Sequence, residues 1–206
     1  VGLKSQIVRI PCGPRGYIMK ESLWPHLEEY IDRAIVYLRE QPKLPDVLHG
    51  HYADGGLVAS RIAKALGIPF IFTAHSLGRY KRQRLTSSGI DQAELEARFH
   101  FTQRIEAEEE ALENAARVIA STTHEVDEQY STYDHFDPSS IAVIPPGSDF
   151  VGSLIRPDRR AVVKLNNLLA PYLRFPGRPP IVALARPDPQ KNIETLIHAF
   201  GQSRLR

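Results

Sequence analysis

The sequence predicts an α/β fold: a parallel, Rossmann-like β-sheet with helices on both faces, followed by the start of a second Rossmann-like domain. Short apolar runs alternate with longer segments of helical periodicity over residues 1–144, which is the order of a sheet built from strand–helix–strand units. Consecutive apolar residues within the runs are typical of strands buried on both faces. Polar residues and glycines follow the runs directly, at the strand ends where ligands bind in such sheets.

Strands are predicted from short runs that are rich in apolar or β-branched residues and bounded by Gly, Pro or polar residues. The first run contains Ile7, Val8 and Ile10, and a later run, FIFT, lies between Pro69 and a polar stretch. The predicted strands are 5–10, 46–50, 70–73, 117–120, 141–144 and 180–184.

Helices are predicted where apolar residues recur every three or four positions. In the first helix Leu27, Ile31 and Leu38 fall on one face, and Ser22 is the expected N-cap. Gly67 is expected to end the second helix. The predicted helices are 23–40, 55–66, 92–116, 123–130, 162–173 and 192–200.

A domain boundary is predicted after the fifth strand, where Pro145, Pro146 and Gly147 make a stiff crossing instead of another strand-to-helix turn. The sequence therefore predicts a first domain of residues 1–147 and a second segment of residues 148–206, comprising a linker and the beginning of the next domain. Two complete Rossmann-like domains do not fit in 206 residues, at roughly 100–200 residues per domain.

Composition excludes several classes of function. The formal net charge is +2, so bulk charge does not indicate a nucleic-acid partner. No window approaches the roughly 20 consecutive apolar residues of a membrane-spanning helix. The single cysteine, Cys12, excludes an intrachain disulfide and fits a reducing, cytoplasmic compartment.

The stretch HGHYADGG, residues 49–56, lies between a predicted strand and a predicted helix. Its glycines let a ligand approach the backbone, and N–H groups at a helix start attract anions. The alternative is an ordinary strand-to-helix turn without a ligand. His49 and His51 form at most a weak ligand pair, and because the sequence offers no third ligand, no metal site is predicted.

The stretch TAHSLGRYK, residues 73–81, follows the next predicted strand. His75 and Ser76 can hydrogen-bond the hydroxyls of a sugar, and Arg79 and Lys81 add positive charge. The alternative is a surface loop with solvated bases. The Ser–His pair is not interpreted as part of a hydrolase triad, because the sequence has no G-x-S-x-G elbow.

Other basic residues are weighed in the same way. Arg186 and Lys191 lie on either side of the start of a predicted helix, where two cations and a helix dipole would suit a diphosphate. Lys20 and Arg104 are each most simply surface charges. The acidic run 106–110 is most simply a solvated helix face that pairs with nearby bases.

Seven phrases, taken together and in order, resemble the family-4 retaining glycosyltransferases of the GT-B fold and, among them, the sucrose-phosphate synthase subfamily. The phrases are IPCGPRGYIMKESLWPHL, HGHYADGG, FTAHSLGRYK, RIEAEE, STTHEVDEQY, VIPPGSDF and ARPDPQKN. The resemblance extends from about Ile7 to Arg206. It implies that the family's first strand and glycine-rich loop would precede Val1 and that most of the donor domain would follow Arg206, so the chain is expected to be a fragment.

The resemblance implies that the first domain binds fructose 6-phosphate, the acceptor substrate. Charge-assisted hydrogen bonds from basic side chains suit its phosphate. The residues that the resemblance assigns to the acceptor are Lys20, Lys81 and Arg104 at the phosphate and Tyr52 and Ser76 at hydroxyl groups.

The resemblance also implies roles for three catalytic-site residues. His75 would contact the transferred glucose, while Arg186 and Lys191 would hold the diphosphate of UDP-glucose and stabilise its developing charge. The reaction would retain the anomeric configuration without a protein nucleophile. No cofactor is predicted, and no sequence motif indicates the magnesium ion that could accompany a diphosphate.

Two alternatives remain at this stage. A sucrose synthase would use free fructose, which needs no phosphate clamp. The other alternative is a non-catalytic sugar-phosphate-binding fragment or regulatory module, which the expected missing ends favour for this polypeptide but not for its parent.

Overall fold

The computed structural model describes residues 5–147, 158–186 and 191–204. The chain divides into two units, Val1–Gly147 and Ser148–Arg206. The strands of the first unit are β1 (Leu48–His51), β2 (Phe70–Thr73), β3 (Arg117–Ala120) and β4 (Ile141–Val143). Its α-helices are α1 (Leu27–Arg39), α2 (Tyr52–Leu66), α3 (Gly78–Ser87), α4 (Gln92–Phe99), α5 (Phe101–Asn114) and α6 (Thr123–Glu128).

The four strands form one parallel sheet in the order β1-β2-β3-β4. In its register, Leu48 lies opposite Phe70, and Phe72 lies opposite Val118. The predicted α/β fold with a parallel sheet is confirmed. Because all four strands run the same way, their carboxyl ends meet at one edge of the sheet, and the turns that follow β1 and β2 are neighbours.

One face of the sheet makes the core. Phe70, Phe72 and Val118 are almost completely buried there, beneath α2 and α5. Gly56 of α2 permits this packing, because a Cβ atom at that position would lie 2.5 Å from the Phe72 ring and 3.2 Å from Cβ of Ala111. Alternation along β1 places His49 and His51 on the opposite face, where both are exposed.

Several predicted elements of the first unit have shifted ends, and the first helix begins at Leu27 with His26 at its N-cap position, so the prediction of Ser22 as N-cap is wrong. Two further elements differ more strongly. Residues 5–10 form no strand: they are largely exposed, and only Ile10 packs against α1 and α2. The predicted helix 92–116 is interrupted at His100, which adopts a left-handed conformation with φ of 48° and separates α4 from α5. Composition did not reveal this break, because helix-forming residues continue through it.

The helix α3 was not predicted at all. Its sequence, GRYKRQRLTS, has few apolar residues, and its N-cap position is occupied by Leu77, which is not a preferred capping residue. The structure therefore converts the predicted loop at residues 78–81 into the first turn of a helix.

The second unit contains α7 (Arg159–Leu169), a 3₁₀-helix at Ala170–Tyr172, and α8 (Ile193–Gln202). Both predicted helices are present with shifted ends. Residues 180–184 form no strand, since they have no strand partner among the described residues, and Ile181, Val182 and Leu184 are exposed. No residue in the described part of this unit is buried.

Among the residues that the structure describes, no helix combines the length and apolar character that crossing a membrane requires.

Candidate functional site

The junction between β1 and α2 has no connecting loop. Tyr52 follows His51 directly as the first residue of α2, and its φ of 61° is rare for a residue with a side chain. Strained backbone of this kind concentrates at functional sites. Tyr52 remains half exposed at the carboxyl edge of the sheet.

Three histidines meet above this edge. Nδ1 of His51 lies 2.8 Å from Nε2 of His75, and Nε2 of His49 lies 2.8 Å from Oγ1 of Thr73. The rings of His49 and His51 are 4.1 Å apart between centroids, and those of His51 and His75 are 5.0 Å apart. The Tyr52 ring lies 5.1 Å from His75. Side chains of residues 49–52 and of residues 73–75 at the end of β2 therefore form one polar cluster.

The pKa values of two of these histidines are lowered. Although both side chains are largely exposed, partial desolvation of the ring is the main cause that lowers the pKa of His49, and the neighbouring imidazoles of His51 and His75 lower it further. Partial desolvation, followed by the effect of His75, also lowers the pKa of His51. Neutral imidazoles offer a donor and an acceptor each, which suits sugar hydroxyls. The described residues hold no group of three or more metal-ligating side chains arranged around a common point.

His75 lies at the centre of a tight turn. The backbone N–H of Ser76 donates to the carbonyl of Ala74 at 2.6 Å, and His75 has a φ of 56°. A hydrogen bond from residue i+2 back to residue i closes a γ-turn, and the form with positive φ is uncommon and strained. The backbone of His75 is therefore left-handed, with a positive φ, whereas a residue that continued the strand would have a negative φ.

The loop that contains this turn is fixed by four side chains from elsewhere in the first unit. Each of them bonds a backbone group of residues 74–79, so the loop's polar groups are satisfied away from water. The bonds are Ala74 N–H to the Tyr130 hydroxyl (3.2 Å), Arg104 Nη2 to the Ser76 carbonyl (2.5 Å), Gly78 N–H to the Glu108 carboxylate (2.8 Å) and Arg79 N–H to the Tyr133 hydroxyl (3.0 Å).

Glu108 is the most enclosed ionisable group of this arrangement, with none of its surface exposed. Its carboxylate accepts hydrogen bonds from Gly78 N–H, from Nε of Arg104 at 2.9 Å and from the Tyr133 hydroxyl. Burial raises the pKa of Glu108, and the Arg104 cation opposes that rise. The interpretation of 106–110 as a solvated face is therefore wrong for Glu108.

Lys81 lies within electrostatic reach of both Lys20 and Arg104, although the three residues are far apart in the sequence. Burial lowers the pKa of Lys81, the positive charges of Lys20 and Arg104 lower it further, and the Glu21 carboxylate opposes them. Nζ of half-buried Lys81 lies 5.1 Å above the Phe99 ring, and Lys20 lies exposed in a 3₁₀-helix. Gathered like charges that perturb a pKa in this way are characteristic of ligand sites.

Arg79 takes no part in this cation cluster. Its guanidinium bonds Glu109 at 2.6 Å and Asp134 at 2.7 Å, and it stacks over the Tyr133 ring. Residues 79 and 81 are two positions apart on a helix, so they point in different directions. The interpretation that both add charge to one site holds only for Lys81.

The structure describes the predicted donor residues only in part. Arg186 and Lys191 are exposed, and residues 187–190 between them lie outside the described residues. The helix predicted to begin at 192 is present as α8, with Asn192 as its N-cap and Thr195 Oγ1 donating to Asn192 Oδ1 at 2.6 Å.

Sequence reasoning missed Glu108, Tyr130, Tyr133 and the contact of His51 with His75. One signal was available: Arg104 and Glu108 are four residues apart, which places them on one helix face as an ion pair. No local pattern marks either tyrosine. Their hydroxyls accept from the backbone N–H groups of Ala74 and Arg79, which lie more than 50 residues away in the sequence.

Known proteins resemble this chain over most of its length. Residues 3–151 match the family model described as the sucrose synthase first GT-B domain. A sucrose-phosphate synthase of Zea mays and sucrose-phosphate synthase 4 of Arabidopsis thaliana are each 39% identical over 251 residues, covering 96% of this chain and 24% of the relative.

A solved sucrose-phosphate synthase structure from Thermosynechococcus elongatus has a TM-score of 0.65 at 26% identity and covers 96% of this chain and 44% of that one. The chain spans about a quarter of the length of the curated relatives it matches. The family model covers well over half of the chain, and the solved structure shares its fold. The chain therefore belongs to the GT-B glycosyltransferase family of the sucrose synthase first domain, and sucrose-phosphate synthases are among its relatives.

Proposed function

We propose that this chain supplies the acceptor site, and the first donor contacts, of an enzyme that transfers glucose from UDP-glucose to fructose 6-phosphate. The product is sucrose 6-phosphate, formed with retention of the anomeric configuration. The observation that carries the proposal is the positive charge gathered around half-buried Lys81, to which Lys20 and Arg104 contribute, with Arg104 bonded to Ser76 in the loop after β2. The names of the relatives, sucrose-phosphate synthases, support the same substrate class.

The acceptor phosphate binds among these three cations. Burial, and then repulsion from Lys20 and Arg104, lowers the pKa of Lys81. The phosphate dianion favours the charged form of Lys81 and so offsets both effects. Ser76 lies next to Arg104, with its Oγ 3.5 Å from Nη2. Ser76 and the exposed Tyr52 hydroxyl then supply neutral contacts to the acceptor.

His75 contacts the transferred glucose. Its ring is backed by His51 at 2.8 Å, which fixes one ring nitrogen and leaves the other for a sugar hydroxyl. The positive φ of His75 holds this orientation before substrate arrives. Preorganised hydrogen bonds of this kind act without reorganisation during the reaction.

In the chemical step, the bond between glucose C1 and the UDP oxygen breaks, and a bond from C1 to the acceptor hydroxyl oxygen forms on the same face. The acceptor hydroxyl proton passes to the departing diphosphate oxygen. Arg186 and Lys191 stabilise the negative charge that grows on that diphosphate. No protein nucleophile takes part in this step.

One observation favours a second candidate, a sucrose synthase that acts on free fructose: the matched family model is that of the sucrose synthase first domain. Free fructose carries no negative charge that could neutralise the three cations. The cation cluster therefore favours the phosphorylated acceptor.

The proposal is tested by steady-state kinetics on the full-length protein with UDP-glucose and fructose 6-phosphate, with sucrose 6-phosphate identified as product. Arg186→Ala and Lys191→Ala are expected to lower kcat by about 100-fold or more, because their contacts strengthen in the transition state, with a smaller change in the KM for fructose 6-phosphate. Arg178→Ala, at another exposed base of the same unit, is the control. Near-normal kcat in both variants would remove the donor assignment, and absence of glucosyl transfer in the wild type would remove the whole proposal.

A further inference from the structure

Glu108 is a buried carboxylate that the proposed reaction does not use. Acidic residues are almost never fully buried unless they are paired, and this one gathers donors from three separate parts of the first unit. Two of those donors, Gly78 N–H and the Arg104 guanidinium, belong to the elements that carry the predicted phosphate ligands.

The first connection runs from Glu108 to α3. The N-cap residue of α3, Leu77, has no side chain that can bond the free N–H groups at the helix start. Both Glu108 oxygens accept from Gly78 N–H instead, at 3.1 and 2.8 Å. The carboxylate of α5 thus caps the helix that presents Lys81 one turn later, and Lys81 N–H bonds the Leu77 carbonyl at 3.1 Å.

Gly78 is required for this contact. A Cβ atom at position 78 would lie 2.8 Å from Oε2 of Glu108, 3.1 Å from Ile105 and 3.3 Å from Arg104. Only glycine lets the backbone come this near to the carboxylate.

The second connection runs from Glu108 to Arg104. Nε of Arg104 donates to Glu108 at 2.9 Å, and Nη2 donates to the Ser76 carbonyl. These bonds fix the plane of the guanidinium at two of its edges. Within residues 5–147, 158–186 and 191–204, Nη1 makes no hydrogen bond. A guanidinium held in one orientation can present that nitrogen to a phosphate at low entropic cost.

We infer that Glu108 is a positioning residue for the acceptor phosphate: by capping α3 and orienting Arg104 it aligns Lys81 and Arg104, and selectivity for a phosphorylated acceptor depends on it. This inference rests on the proposed function. Glu108 itself does not touch the acceptor.

Glu108→Gln separates positioning from simple charge neutralisation, because the two roles change binding in opposite directions. Removing a negative charge beside Arg104 raises the local positive potential, so a pure counter-charge role makes the variant bind phosphate more tightly. A positioning role makes it bind more weakly, since the neutral amide holds Arg104 and Gly78 less firmly.

The experiment measures kcat and KM in the full-length protein for fructose 6-phosphate, free fructose and UDP-glucose. For Glu108→Gln we expect the KM for fructose 6-phosphate to rise about tenfold, the scale of one hydrogen bond to a charged group. The kcat and the KM for UDP-glucose should stay within about twofold, because loss of an interaction that serves acceptor binding alone raises the acceptor KM and leaves kcat unchanged. Selectivity for fructose 6-phosphate over fructose should fall by the same tenfold factor. Glu110→Gln is the matched control, because Glu110 lies on the same helix but pairs with Arg61.

Tyr133→Phe is a second, milder variant, for use if Glu108→Gln does not fold. It removes one donor from Glu108 without a change of charge and should lower phosphate selectivity by about threefold, a fraction of the effect of a full ion-pair contact. A folded Glu108→Gln protein with unchanged or increased selectivity overturns the inference, as does unchanged selectivity in Tyr133→Phe. The proposed function fails separately, if the wild type does not prefer fructose 6-phosphate to fructose.

Discussion

The turns after β1 and β2 lie side by side at one edge of the sheet but are stabilised in different ways. After β1 the chain enters α2 without a loop, and close backbone packing through Gly56 sets its position. After β2 the loop 74–77 is held by side chains from α5 and from the segment that follows α6.

The difference separates two tasks within one site. The first turn offers exposed His51 and Tyr52 side chains, both of which contact His75 of the neighbouring turn, so it suits neutral contacts to hydroxyls. The second turn is built on buried Arg104 and Glu108, in surroundings where charges interact more strongly than in water. It therefore suits the recognition of a phosphate. The substitutions that follow are each directed at one of the two turns.

The largest effect is expected from Lys81→Ala, which removes a charge from the second turn. Affinity for fructose 6-phosphate should fall by roughly 1.5–3 kcal/mol, the value of a hydrogen bond to a charged group, while the affinity for UDP-glucose changes little. Titration calorimetry on the full-length protein measures both. Arg84→Ala removes an exposed charge one turn further along α3 and serves as control. Equal losses in the two variants would show that only the overall charge matters.

The adjacent glycines of the first turn should respond in opposite directions. Gly56→Ala places a methyl group against the Phe72 ring and should lower the free energy of unfolding by about 1–3 kcal/mol, as overpacking does. Gly55→Ala enters open space within α2 and should raise it by about 0.5–1 kcal/mol through helix propensity. Urea unfolding provides the comparison, and a stable Gly56→Ala protein would contradict the packing account.

Tyr130→Phe tests the anchoring of the second turn. It leaves the buried N–H of Ala74 without its hydroxyl partner, which should cost about 1 kcal/mol of unfolding free energy. Tyr17→Phe, at a side chain that is 90% exposed, should have no measurable effect. If both variants unfolded at the wild-type urea concentration, the hydroxyl of Tyr130 would not anchor the loop.

The smallest effect is a pH dependence that arises in the first turn. The pKa values of His49 and His51 are lowered on folding, so as pH falls below about 6.5 the unfolded chain takes up protons more readily than the folded one. Their contribution to stability is therefore complete above that pH and is lost as pH falls. The double variant His49→Gln/His51→Gln should show a flatter stability profile between pH 7.5 and 5.5 (about one unit either side of an ordinary histidine pKa). Identical profiles would rule out this linkage.

Much of the sheet could be predicted because its strands have a recognisable local sequence pattern. The bounds of β2 and β3 were predicted at both ends, since each is a short apolar run between residues that do not continue a strand. Residues 5–10 and 180–184 have similar runs but no strand in the described structure. A strand needs a partner for its backbone groups, and pairing is not encoded within the run itself.

Residues of the candidate site could be proposed from the sequence only where the type of side chain suggests the group that it binds. Cations such as Lys81 and Arg104 are natural phosphate ligands, but their proximity came from the family resemblance. The roles of Glu108 and Tyr133 depend on contacts with the first turn of α3 that only the folded chain brings together. An acidic run with no structural context is most often solvated, which is why the buried member of 106–110 was missed.

The central claim is that the first unit recognises a phosphorylated acceptor, and the most direct measurement is acceptor competition in the full-length protein. At fixed UDP-glucose, kcat/KM is determined for fructose 6-phosphate and for free fructose. The account predicts a preference for fructose 6-phosphate of about 100-fold or more, since two or more charge-assisted bonds are lost with the phosphate. Equal values, or a preference for free fructose, would contradict it.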